Sequence, residues 1–246
     1  MMQPAFLPWQ GFFELIYQAD IFVLLDDFQF SVQSYHQRNR LFVSPGQVGW
    51  YTVPVEKQAS FKMPLNRTRI DESDPWRIKM LKRLQQNYSK TPFFREIFPQ
   101  VEAWLGTPAA SLADHNIAFI RLALNLLGWE RELRFSSAYP SSATRSQHVL
   151  ELLRRCGATR YYAARGSFDY MREDGVFPAP DIESLFQNFI PQPYIQIGSV
   201  GTFMPNLSVL DALFNVGPAE TGRLIVRGSG NWLGWDDMVK AGQVSA

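Results

Sequence analysis

An unbroken apolar run, Ile21-Phe22-Val23-Leu24-Leu25, stops at the acidic pair Asp26-Asp27, and this junction constrains the fold more than any other stretch of the chain. A continuous apolar run of this kind reads as a strand buried on both faces, as in a parallel sheet. Ligands of open α/β sheets bind just beyond the carboxyl ends of such strands. Here one short segment follows with Gln29, Gln33, His36, Gln37, Arg38, Asn39 and Arg40, interleaved with Phe28, Phe30 and Tyr35. Two carboxylates and two guanidiniums placed there need polar partners, because burying them unpaired is costly. An ordinary strand end with a solvated loop is the competing reading, although solvated loops seldom interleave aromatics in this way.

Before the run, Pro4, Pro8 and Gly11 mark a loop and Phe12 to Ala19 a short helix. Loop, helix and strand match the second half of a βαβ unit. The first strand of that unit should lie just before Gln3, where almost no residue precedes it. Either the chain starts late or the sheet is edged differently. Arg40–Val43 and Trp50–Val55 predict a hairpin around the turn at residues 44–47. Residues 56–73 are polar and irregular. Asp74-Pro75 suits a helix start, as cap and first helical residue, for a helix to Tyr88. Further helices are expected over about Thr91–Gly106 and from Ser111 or Asp114 to Leu127, stopped by Gly128.

Arg131–Ser136 and Arg160–Ala164 read as strands flanking a helix at Ser146–Cys156, a second candidate βαβ unit. A helical turn at Tyr170–Glu173, a last strand at Tyr194–Gly198 and a helix at Ser208–Asn215 complete the pattern. The expected fold is α/β, a Rossmann-like three-layer core with a mainly parallel sheet. A single domain spans 1–220 with a helical insert at about 74–128, and 221–246 form a loose C-terminal tail.

Composition narrows the function classes. A net charge of +1 over 246 residues argues against a general grip on nucleic acid. The lone Cys156 excludes an intramolecular disulfide framework and a multi-cysteine zinc site, and three scattered histidines make no metal pair. No metal ligand set and no cofactor motif is found. No apolar run approaches the ~20 residues of a membrane span and no signal peptide opens the chain, so cytoplasmic residence is expected. Phosphate-loop, nucleophile-elbow and dinucleotide-binding signatures do not occur.

Three loops carry the polar residues. Gln3 to Gly11 join the Asp26–Arg40 segment. Ser141, Ser142, Thr144 and Arg145 precede a helix, where hydroxyls and N–H groups suit an anion, although Ser and Thr cap any helix. Arg165-Gly166-Ser167-Phe168-Asp169-Tyr170 follows a strand; its glycine permits close backbone approach to a ligand, or simply turns the chain. His36 is the one histidine in a polar cluster, either a general base or a loop residue bonded to its neighbours. His115 and His148 read as structural, and Cys156 as a buried thiol.

The stretches QPAFLPWQGFFELIYQADIFVLLDDFQFSVQSYHQRNR, WYTVPV, GATRYYAARGSFDY and FMPNLSVLDALFNVGP resemble the WbqC-like family, from about Gln3 to Pro218. Gln3, Pro4, Trp9, Gly11, Asp26, Asp27, Gln29, Arg38, Asn39 and Arg40 match its first motif. Asp169 and Tyr170 match the second, and Ser208, Asp211, Asn215 and Gly217 the last; Asn206 lies beside it. Members often carry a cysteine where this chain has Val216 and a histidine where it has Pro191, so chemistry through those groups is not expected here. The resemblance implies acyl or aminoacyl transfer, glycyl transfer being the usual suggestion, to an amino sugar or amine in polysaccharide or natural-product biosynthesis. A remoter similarity links the chain to the nucleotidylyltransferase superfamily that includes pantothenate synthetase. There the first loop holds phosphates with His-x-Gly-His, where this chain has Trp9 and Phe12.

The leading expectation is therefore amide formation on a small amine or a nucleotide-linked amino sugar, with an acyl carrier protein as a candidate donor. Asp26 or Asp27 would deprotonate or orient the amine, with His36 as the other candidate base. Arg38, Arg40 and Arg145 would hold an anionic group such as a diphosphate. Gln3, Trp9, Gly11, Gln29, Asn39, Gly166, Asp169, Tyr170, Asn206, Ser208 and Asp211 complete the candidate site. The alternatives are an ATP-dependent ligase or nucleotidylyltransferase, and a non-catalytic module that binds a nucleotide sugar or carrier protein.

Overall fold

Trp9 and Gly11 open the first helix, α1 (Gln10–Gln18), with their side chain and backbone in direct contact: a Cβ on Gly11 would meet the Trp9 ring at 2.4 Å. The computed structural model describes residues 1–56 and 60–244. The apolar run follows as β1 (Ile21–Leu24), with Phe22, Val23 and Leu24 sealed from solvent as a strand covered on both faces must be. The hairpin comes next, β2 (Arg38–Ser44) and β3 (Gln47–Thr52), antiparallel with a register shift between Phe42 and Ser44.

Three helices complete the segment between β1 and its partner: α2 (Trp76–Tyr88), α3 (Phe94–Gly106) and α4 (Leu112–Leu127). The Asp74 carboxylate does not cap α2; it pairs with Lys79 Nζ at 2.6 Å, and only its carbonyl meets the helix, accepting from Trp76 N–H. Both ends predicted for α4 hold. Ser111 Oγ accepts from Asp114 N–H, a cap worth about 1 kcal/mol, and Gly128 takes the left-handed conformation at φ 67°.

The second half contains β4 (Glu132–Phe135), α5 (Arg145–Arg155), β5 (Arg160–Ala163), α6 (Phe168–Glu173) and β6 (Glu183–Phe186). Then come α7 (Val209–Gly228), β7 (Leu233–Gly234) and α8 (Trp235–Val244). Three expectations differ here. Tyr194–Gly198 is not a strand: Ile197 N–H donates to the Asn215 side chain and the Gly198 carbonyl accepts from Gly46 N–H. β6 escaped the sequence reading because Glu183-Ser184-Leu185-Phe186 alternates too briefly to stand out. The helix from Ser208 does break where Gly217-Pro218 predicts, with Gly217 at φ 76°, but it restarts at once and runs to Gly228. Residues 221–244 are consequently not a loose tail; residues 57–59 of the polar stretch, and 245–246, lie outside the described residues.

β1 pairs in parallel with β4, and β5 in parallel with β6, which β7 extends antiparallel. Met2 bridges Leu24 in parallel on the free side of β1: Met2 N–H donates to the Val23 carbonyl and Leu25 N–H to that of Met2. The two parallel pairs share one apolar cluster, in which Met1, Val23 and Leu25 pack with Tyr161, Ala163 and Phe186. A larger cluster joins α1, the hairpin, α2 to α4 and α7. The chain is thus a mixed α/β protein with small, partly parallel sheets. Among the described residues, no helix is long and apolar enough to cross a membrane.

Candidate functional site

β1 and β5 run out at the same cavity, of about 460 Å³. Leu25 and Phe28 line it after β1, Ala164, Gly166 and Ser167 after β5, and Gln3 enters from the N-terminal segment. Arg145 and Val149 of α5 and Tyr170 of α6 close it. Its volume falls within the ~300–1,000 Å³ of small-ligand sites, and an apolar floor with a few convergent polar groups is their usual chemistry. A Cβ on Gly166 would meet nothing within 4 Å and its φ is not left-handed. Neither packing nor backbone conformation therefore requires a glycine there; an approaching ligand would.

Gln3 is held from two directions. Its Oε1 lies 3.1 Å from His36 Nε2, and its Nε2 donates to the Gln29 carbonyl at 3.3 Å. His36 Nδ1 accepts from Ser31 N–H at 3.2 Å, so the proton sits on Nε2 and is donated to Gln3. Burial pushes the His36 pKa down to about 4, which keeps the ring neutral at pH 7. With both nitrogens engaged, His36 orients Gln3 and is not a free base. Gln29 contributes its carbonyl, while its side chain is exposed.

The two carboxylates differ. Asp26 is buried with both oxygens occupied: Oδ1 accepts from Ser137 N–H at 3.0 Å and shares the single Ser136 hydroxyl proton with Asp27, and Oδ2 accepts from Ser137 Oγ at 2.6 Å. It ties the end of β1 to the end of β4. Asp27 accepts from Ser136 Oγ through Oδ1 alone, and its Oδ2 has no partner among the described residues. Phe28, its neighbour in sequence, lines the cavity.

Arg145 lies at the cavity, but its charge is already answered: it pairs with Asp174 at 3.1 Å and Glu173 at 3.9 Å. Asp174 also accepts from Ser146 N–H and Oγ at the start of α5, bonds that hold its carboxyl below the usual range. The helix start predicted to take an anion is occupied by the chain's own carboxylate. Burial raises the Tyr170 pKa, so its hydroxyl stays protonated, while Asp169 is exposed and faces Arg172 at 4.0 Å.

The remaining candidates gather elsewhere. Trp9 packs edge-on to Phe189 and bridges Ser208; the crevice it shares with Asn206 and Tyr194 measures only about 10 Å³. That is about the least that one water requires. The start of α1 is covered by this indole, whose ring a Cβ on Gly11 would meet at 2.4 Å. Ser208 Oγ caps α7 by accepting from Leu210 N–H. Asp211 is fully buried and accepts from Tyr88, Tyr194 and Gln196. Asn39 donates to the carbonyls of Phe6 and Leu7 and so shapes the N-terminal loop. Arg38 and Arg40 lie on the hairpin, neither of them lining the cavity.

The cavity-lining residues outside the expected site are Met1, Met2, Leu25, Phe28, Val149, Tyr161, Ala164 and Ser167. Their signal was positional: each lies on or beside a parallel strand, follows one, or sits on an element packed over one. A larger hollow of about 630 Å³ opens at the opposite, amino ends of β1 and β5, but its Arg160 and Glu183 are paired with each other at 2.7 Å. Among the described residues, no group of three or more His, Cys, Asp or Glu is placed to hold a metal ion.

Fold and cavity define a mixed α/β protein with a small-ligand-sized pocket where two parallel strands end. Residues 3–223 match the model of the WbqC-like protein family, and the chain belongs to that family. It is 29% identical over 219 residues to the uncharacterized protein Rv1507c of Mycobacterium tuberculosis, covering 88% of this chain and 93% of that one. No solved structure matches it.

Proposed function

We propose that this WbqC-like protein is an enzyme that forms an amide, transferring an acyl or aminoacyl group such as glycyl to the amine of an amino sugar or other small molecule. The observation that carries the reading is the cavity at the carboxyl ends of the parallel strands β1 and β5, where open α/β sheets bind their ligands. Attack by an amine needs a neutral nitrogen and stabilisation of the charge that develops on the acyl oxygen. Asp27, whose neighbour Phe28 lines the cavity and whose Oδ2 has no partner among the described residues, takes the amine proton and passes it to the donor's leaving group as the acyl bond breaks. Gln3 and Tyr170 supply neutral donors to the acyl oxygen or the acceptor's hydroxyls. Asp26 and His36 act through Ser136, Ser137 and Gln3, holding those groups in place.

The experiment is incubation with activated acyl donors and amine acceptors, with and without ATP, read by mass spectrometry for the amide. Product without ATP, lost in Ala164→Trp, supports the proposal. Product only with ATP makes the protein a ligase, and saturable binding without product makes it a binding module.

A further inference from the structure

Arg38 and Arg40 differ from the other cations around the hairpin. Arg69 pairs with Glu56, Arg77 with Glu72 and Lys79 with Asp74, while Arg83 donates to the Trp50 carbonyl. Among the described residues, neither the Arg38 nor the Arg40 guanidinium has a hydrogen bond or an ion pair. Both side chains are half-buried, and the Nε of each is shut off from solvent without a partner. A buried charged donor left unpaired is costly, more so than a neutral one. The nearest carboxylates in sequence do not answer them: Asp26 is bound by Ser136 and Ser137, Asp27 meets Ser136, and Glu56 pairs with Arg69.

The pair is also organised. Residues i and i+2 of a strand share a face, about 6.6 Å apart along it, so both guanidiniums leave β2 on the same side. Trp50 stands opposite Arg40 in the register, and the Arg38 guanidinium lies 4.2 Å from the Trp50 ring centroid. Tyr35 sits 5.9 Å from the same indole, and the two rings are 53% and 39% exposed. Stacked guanidiniums are the preferred partners of phosphate oxygens, and exposed rings beside them offer a face to a base.

We propose that this face of the hairpin binds the diphosphate of a nucleoside-linked ligand, Arg38 and Arg40 engaging its phosphates and Trp50 with Tyr35 its planar base. The chemistry is shared by a nucleoside diphosphate sugar and by coenzyme A. It stands apart from the reaction assigned to the cavity, since neither arginine lines it.

The test is calorimetric titration of the full chain with pyrophosphate, UDP, ADP, coenzyme A and uridine. Pyrophosphate and the nucleotides bind, the nucleotides more tightly, and uridine alone does not. Arg38→Met and Arg40→Met each weaken binding at least about tenfold with circular dichroism unchanged, and Trp50→Ala removes the advantage of nucleotide over pyrophosphate. UDP and ADP against coenzyme A distinguish the two sources. If a methionine variant does not fold, Arg38→Lys and Arg40→Lys keep the charge but lose the fork, and weaker binding with the salt dependence retained takes its place. No binding by the wild-type chain, or binding that every arginine variant retains, overturns the proposal. Ala164→Trp, which fills the cavity, leaves diphosphate affinity unchanged, so failure here and failure of the amide-forming assignment are separately readable.

Discussion

His36 Nε2 lies 3.1 Å from Gln3 Oε1, and through this contact a buried imidazole fixes a carboxamide at the mouth of a cavity. The contact requires a neutral ring, because Nδ1 must accept from Ser31 N–H while Nε2 donates. Acid therefore acts on the fold and on the site together. The folded His36 resists protonation to about 4, whereas an unfolded histidine takes its proton near 6.5. Its contribution to stability is complete above pH 6.5 and is lost as pH falls toward 4, on the order of 3 kcal/mol in full. His115, depressed to about 3 by burial, adds a loss in the same direction. Urea midpoints at pH 7 and pH 4.5 measure it, and His36→Asn shows a flatter dependence than the wild type. Equal slopes in the two proteins would remove His36 from the account.

Asp26 and Asp27 are adjacent in sequence and separable by experiment. Asp26→Ala strips the acceptor from the Ser137 hydroxyl and backbone N–H at the β1–β4 junction, leaving Ser136 only Asp27, and destabilises by about 2–3 kcal/mol. Asp27→Asn keeps the contact to Ser136, leaves the denaturation midpoint within about 0.5 kcal/mol of wild type, and lowers turnover. A pair of midpoints and rates decides between them; an inactive, fully stable Asp26→Ala would reverse the two roles.

Gly166→Ala tests the cavity from its backbone side. The added Cβ meets no atom of the chain, so stability changes by less than about 0.5 kcal/mol. A substrate that closes on this turn loses affinity, which appears in KM before kcat. Gly217→Ala is the control in the opposite sense. With φ at 76° and Phe93 2.6 Å from the new Cβ, it costs about 2 kcal/mol and more than any Gly166 change.

Local chemistry made much of this architecture readable. The run Ile21–Leu25 declared a doubly covered strand, and Ser111, Gly128 and Gly217 marked helix ends through capping and left-handed backbone. What remained hidden was partnership across the chain. Nothing near Arg145 shows that Asp174 will answer its charge from just past the end of α6, and nothing near Asp26 shows Ser136 and Ser137 waiting more than a hundred residues away. The first motif looked like one site because its residues are contiguous. Folding divides them: Gln3 goes to the cavity, Trp9 to the α7 junction, and Arg38 with Arg40 to the outer face of the hairpin.

Asp211 provides the sharpest test of a purely structural reading. It is buried with no cation beside it among the described residues, its carboxylate accepting from Tyr88 at 2.8 Å, Tyr194 at 2.7 Å and Gln196 at 2.9 Å, and desolvation raises its pKa against those bonds. An unfolded aspartate ionises first as pH rises, so this group withdraws stability from about its ordinary value upward to its folded one. Tyr88 also accepts from Phe42 N–H, which couples the hairpin to α7 through one hydroxyl. Tyr88→Phe and Tyr194→Phe each leave a carboxylate oxygen with fewer donors, at about 1–3 kcal/mol apiece. Because both act on one buried charge, the double variant departs from their sum by roughly 0.5 kcal/mol or more. Strict additivity in that cycle would mean that the two tyrosines do not share Asp211 in solution.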